Sequence, residues 1–143
     1  MRRLPILLTL AWFLVASTAC QRSGHSVEED VAAAMNEALA CLNRGDGVAY
    51  AQFIDGYNEA DSMLGAFYAL AVTQLHTEDY VLHGGQTHSY VSSVVVHDDS
   101  TATAYYISRY ADGDSIECAQ RLVHRQGTWR LARTTPPAHN KTK

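Results

Sequence analysis

A chain of 143 residues, 47% hydrophobic and 18% charged, is long enough to bury one core and too short for two. Eleven lysines and arginines face 15 acids; setting aside Arg2 and Arg3 in the leading segment leaves nine against 15, a net of −6, which argues against nucleic acid as a partner. Lysine occurs only at Lys141 and Lys143, the arginines of the body are scattered from Arg44 to Arg133, and no basic patch emerges.

Arg2 and Arg3 precede an uncharged run from Leu4 to Ala19. At 16 residues it reads as a secretory signal and not as a bilayer span, which needs about 20. The run ends in Ala16-Ser17-Thr18-Ala19-Cys20, small residues followed by a cysteine, which resembles a bacterial lipobox. The expectation is cleavage before Cys20 and lipidation of its thiol, with acyl chains anchoring the protein to a membrane. An ordinary signal-peptidase cut after Ala19 and an uncleaved anchor are the other two readings. Gln21 follows the cysteine where an aspartate would imply inner-membrane retention. The expected address is therefore the bacterial cell envelope, at the outer membrane and facing the periplasm. Residues 1–19 are read as signal peptide, 20–25 as tether, 26–135 as one domain and 136–143 as a flexible tail.

Ser26-Val27-Glu28-Glu29 has the form of a capping box, so a helix should follow. Val31, Ala34, Met35, Ala38, Leu39 and Leu42 recur at helical spacing, and Arg44-Gly45 supplies a stop. Gly47 to Ile54 reads as a short second helix with Val48 and Ala51 inward. Asn58 or Asp61 could cap a third, with Leu64, Phe67, Tyr68, Ala71 and Leu75 on its apolar stripe. Beyond His76 the period changes. Tyr80 to His83 reads as a short strand closed by Gly84-Gly85, followed by strands over 87–97, 101–110, 115–124 and 128–134. Asp98-Asp99-Ser100, Ala111 to Asp114 and Arg125-Gln126-Gly127 are the turns, short enough to require antiparallel neighbours. The fold class is α+β, N-terminal helices packed on a curved antiparallel sheet of four to five strands.

Alternation places Trp129 and Leu131 on the buried face of the last strand, and Ile116, Cys118, Gln120, Leu122 and His124 on the buried face of the one before. Cys41 lies at the edge of the first helix's stripe. Three cysteines in an exported chain leave one odd thiol, which lipidation of Cys20 removes. Cys41 and Cys118 then face one interface, and a bridge between them would stabilise by about 4 kcal/mol. Two buried free thiols are the alternative.

The first helix ending in Leu42-Asn43-Arg44-Gly45-Asp46, the segment Ala51-Gln52-Phe53-Ile54, and the hairpin closing on Gly127-Thr128-Trp129-Arg130-Leu131 together resemble the nuclear transport factor 2-like superfamily. The resemblance is to small bacterial lipoproteins carrying that domain and spans about 26–134. It implies a cone, with a sheet wrapped around helices, whose inside is pocket, active site or core, and whose sheet face serves in some relatives as a dimer interface. Enzymes of this superfamily place a carboxylate base and a tyrosine-type donor in the cone. Tyr50, Tyr57 and Tyr68 are the donors to consider here, and Asp61 and Asp79 the acids, although a helix start and a loop explain those two acids as well. Tyr68, Gln120 and His124 are the pocket candidates; no catalytic residue is assigned.

Seven histidines show no metal-ligand spacing: there is no His-Glu-x-x-His, His-x-His or Cys-x-x-Cys. Asp112-Gly113-Asp114 lacks the remaining ligands of a calcium loop and reads as a turn. No metal or cofactor is expected. The favoured function is a non-enzymatic binding or assembly module of the envelope, engaging a small apolar ligand or an envelope protein. The alternative is a small cone-type isomerase, dehydratase or hydrolase.

Overall fold

The computed structural model describes residues 24–60 and 62–133. The expected signal segment, the expected lipidation site Cys20 and the expected C-terminal tail lie outside the described residues. Among the described residues no helix is long and apolar enough to cross a membrane.

Helix α1, Val27–Asn43, begins at the capping box expected: the Glu29 N–H donates to Ser26 Oγ at 3.2 Å, and the Ser26 N–H donates to Glu29 Oε2 at 3.1 Å. It stops at Arg44, with Gly45 in the left-handed region (φ 72°). Val31, Met35, Ala38, Leu39 and Leu42 are buried along one stripe, each large side chain contributing about 1.5–3 kcal/mol on leaving water. Helix α2, Gly47–Ala51, is capped by Asp46, whose Oδ1 accepts from the Ala49 N–H at 3.0 Å. It ends three residues earlier than its pattern suggests, because Ile54 leaves the helix to pair with Leu131 in an isolated parallel bridge.

Helix α3, Ser62–His83, differs from expectation in two ways. It runs through Tyr80-Val81-Leu82-His83, the segment read as a strand, and ends where the Gly84 N–H (φ 75°) donates to the Tyr80 carbonyl at 3.0 Å. A four-residue apolar run carries no period of its own, and the preceding helical turn carries it onward. The second difference is rotation. Gly65, Val72 and Asp79 form the buried line, while Phe67 and Leu75, expected inward, are exposed. Gly47 explains this: a Cβ there would sit 2.3 Å from the Tyr68 carbonyl oxygen and 2.6 Å from the Ala69 Cα. The two helix backbones touch at that point, so α3 turns Tyr68 and Ala69 toward α2 and leaves Phe67 outside. Val48, expected inward, is likewise exposed.

Four strands form one antiparallel sheet in the order β1-β2-β3-β4: β1 Gln86–Asp98, β2 Thr101–Tyr110, β3 Ser115–Arg125 and β4 Thr128–Leu131. The last is shorter than its pattern. Register shifts in the β1–β2 pairing at Val91/Ser93 and Val96/Asp98 switch which β1 side chains face inward. They resolve the two-faced apolar pattern of β1 and help curve the sheet. Helix α1 lies on β1, β2 and β4. Between them sit Val31, Met35, Leu39, Ala102, Ala104, Leu122, Trp129 and Leu131, a single core cluster completed by Ile54 and Val72. Trp129 is buried as expected, its ring tilted on His124 at 4.9 Å. Ile116, expected on the buried face, is 45% exposed, since the first residues of β3 extend beyond the helices.

Cys41 and Cys118 are free thiols, which corrects the expected bridge. Cys41 accepts a contact from the Arg44 guanidinium at 3.4 Å. Cys118 pairs across the sheet with Tyr106. Facing the interior is therefore not sufficient: α1 is packed chiefly on β1, and Cys118 belongs to the far side of β2.

Candidate functional site

The wall of the cone away from α1 is lined by tyrosines. Tyr50 from α2 meets Tyr68 from α3 with ring centroids 5.8 Å apart, and Tyr68 meets Phe67 edge-on at 5.4 Å. Tyr106, inward on β2, feels both Tyr50 and Cys118. Burial, with Tyr68 as a smaller contributor, pushes the Tyr50 hydroxyl up to about 12. Burial is also the largest cause holding the Tyr106 and Tyr110 hydroxyls above the ordinary tyrosine value. All three are neutral hydrogen-bond donors at physiological pH. For Tyr110 the next cause is the charge of Asp79, the buried carboxylate of α3.

Beside this wall, at the end of α1, a polar network joins three elements. The Asn43 side chain donates to the Ser89 carbonyl at 3.2 Å and accepts from the Ser89 N–H at 3.1 Å and from Gln86 Nε2 at 3.2 Å. Gln86 also bonds the Ser89 hydroxyl, which lies 2.7 Å from the Ser108 hydroxyl. Ser89 and Ser108 are buried and satisfied by one another. His76 Nε2 lies 2.7 Å from the Leu42 carbonyl and ties α3 to α1. Nothing in the sequence brings Asn43 to Ser89, 46 residues away; the network was invisible at that level.

The three pocket candidates do not converge. Tyr68 lies in the aromatic cluster. Gln120 donates to the Arg121 carbonyl at 2.8 Å and the Ala132 carbonyl at 3.1 Å, so its amide secures the chain after β4. His124 lies at the rim on Trp129, in an open groove of about 330 Å³ that also holds Asp30 and Glu37. Of the two acids considered, Asp79 is inward on a helix and not in a loop, and Asp61 lies outside the described residues. Tyr57 lines a surface cleft of about 350 Å³ with Asp55, Arg125 and Arg130. There the Arg130 guanidinium bonds the Gln52 carbonyl, and Arg133 Nε bonds the Asp55 carbonyl at 3.0 Å. The cone interior itself is occupied by side chains: Tyr50, Phe53, Tyr68, Val91, Val94, Val96 and Tyr106 pack against the core.

No family model matches the chain, and no curated protein is found similar to it. Among solved structures, it is similar to a protein of Campylobacter jejuni provisionally named an NTF2-like transpeptidase, with a TM-score of 0.56 at 10% identity. The match covers 70% of this chain and 95% of that one. At that identity the likeness speaks for the fold alone, and it agrees with three helices set on one face of a curved, unclosed antiparallel sheet. The chain has a nuclear transport factor 2-like fold.

Proposed function

We propose that the protein is a non-enzymatic binding or assembly module of a bacterial cell envelope, held at the outer membrane by lipid on Cys20 and facing the periplasm. The observation that supports this best is the filled cone. Aromatic and aliphatic side chains take the volume that a cone-type enzyme gives to substrate, and the clefts lined by Arg130 and by His124 open on the outside. With the described interior packed by these side chains, the partner favoured over an internal apolar ligand is an envelope component met at the surface. Asp79 beside Tyr110 favours the second reading, a small cone-type isomerase, dehydratase or hydrolase, because a buried acid near a neutral phenol is the pair such chemistry uses.

The test is a pull-down from native membranes with the lipidated chain, in which excess soluble domain competes. Stoichiometric recovery of one envelope component, lost on competition, supports the binding module. Absence of any such component, together with a turnover that Asp79→Asn abolishes, replaces it by the enzymatic reading. Cys20→Ser should move the protein from the membrane to the soluble fraction; unchanged fractionation would remove the anchor from the proposal.

A further inference from the structure

Seven of the eleven large apolar side chains exposed among the described residues belong to α3. Met63, Phe67, Leu70, Tyr80, Val81 and Leu82 are each 62–81% exposed, and from Ser62 to Thr77 the helix carries no Asp, Glu, Lys or Arg. A helix on the surface of a domain ordinarily turns its apolar stripe inward. Here the inward line is Gly65, Val72 and Asp79, and the apolar residues stand outside.

The exposed residues follow a seam. Met63, Leu70 and Thr77 recur every seven residues, and Ala66, Thr73 and Tyr80 follow each of them by three. Alternating steps of three and four are the spacing against which a second helix packs, and from Met63 to Tyr80 the seam is about 27 Å long. Its polar members are already paired within the helix. Thr73 Oγ1 donates to the Ala69 carbonyl at 2.8 Å, Thr77 Oγ1 to the Thr73 carbonyl at 2.9 Å, and Gln74 Nε2 to Glu78 Oε1 at 2.9 Å. Covering the seam therefore leaves neither hydroxyl without an acceptor, which removes the main cost of burying it.

We propose that two copies of this chain pack α3 against α3 in an antiparallel, twofold-symmetric dimer. Charge selects a second copy as the occupant. With the axis at the level of residue 72, Met63 lies against Val81 of the partner copy, Leu70 against Gln74 of the partner copy, and Glu78 against Ala66 of the partner copy. Glu78 is the exposed acid of α3, Asp79 being buried. In this register it stands about 18 Å along the helix from its symmetry mate, more than the screening length of about 8 Å at physiological salt. A chain of net charge −4 thus meets itself with no like charges in contact. The outer face of the sheet offers no such match, since Arg109, Glu117 and Arg121 are exposed there, on the side opposite the buried Ala102, Ala104 and Ser108.

The experiment is mild oxidative cross-linking in intact bacteria producing the full chain. Thr73→Cys places a thiol beside the axis and should give a disulfide-linked dimer. The parent should give none, and neither should Val95→Cys, on the outer face of the sheet. Adding Leu70→Glu to Thr73→Cys brings two carboxylates together near the axis and should lower the cross-linked fraction at least about tenfold. Leu70 is 69% exposed, so the protease resistance of the chain in extracts should match the parent's. Absence of a dimer from Thr73→Cys overturns the proposal and leaves the seam to lipid or to a different protein. A dimer that Leu70→Glu leaves intact, or that Val95→Cys forms equally well, overturns it too.

Discussion

Ile54 and Leu131 pair across 77 residues in a single parallel bridge. The Leu131 N–H donates to the Phe53 carbonyl and the Asp55 N–H to the Leu131 carbonyl, each at 2.8 Å. The link covers the outer edge of β4 with the segment after α2, so an otherwise bare strand edge is partnered at one point. Both side chains also enter the core, at 4% and 0% exposure.

Leu131→Ala therefore removes a core side chain from the edge strand that carries the Ile54 bridge. The expected cost is about 2–5 kcal/mol, a large share of the stability of a domain this size, read from the shift of a urea midpoint. A loss under about 1 kcal/mol would mean that Leu131 is not part of the core.

Gly47→Ala should separate α2 from α3. The added Cβ meets Tyr68 backbone and not a side-chain tip, so neither can yield without moving a helix. A loss of about 1–3 kcal/mol or more is expected, together with a change in tyrosine near-ultraviolet dichroism as the Tyr50–Tyr68 contact opens. Gly113→Ala is the comparison: nothing stands within 4 Å of the new Cβ, and the strain of its positive φ is the whole effect.

Reducing agent should leave the melting temperature unchanged, because the thiols of Cys41 and Cys118 are free. Cys41 is the more buried and should label with a thiol reagent more slowly than Cys118 in the folded protein. Recovery of a peptide joining the two under non-reducing conditions would contradict the structure.

Alkaline stability follows from Tyr50. Its folded value, about 12, lies above the ordinary 10 of an unfolded tyrosine, so the folded state holds the proton longer. Stability is whole below about pH 10, falls as the unfolded chain's phenol ionises, and the loss is complete above the folded value. Tyr50→Phe should move the alkaline unfolding midpoint upward relative to the parent. An unmoved midpoint would show that this hydroxyl is not buried.

Much of the architecture was legible because it is encoded locally. Ser26 and Glu29 bond each other three residues apart, the α1 stripe repeats every three or four residues, and the turns at Asp98-Asp99 and Gln126-Gly127 join strands whose alternation names their faces. Trp129 and Leu131 were placed correctly for that reason. What no local pattern could decide was which partner each element meets. The rotation of α3 depends on Gly47 touching Tyr68, the fate of residues 80–83 on whether a helix already in progress carries them, and the two cysteines on α1 lying over β1. The polar network of Asn43, Ser89 and Ser108 and the contact of His83 with Asp112 exist only once distant turns are brought together. Short-range spacing sets what each segment can form and which face it buries; only tertiary packing determines which distant side chains become neighbours, because that choice is made by contact and not by sequence separation.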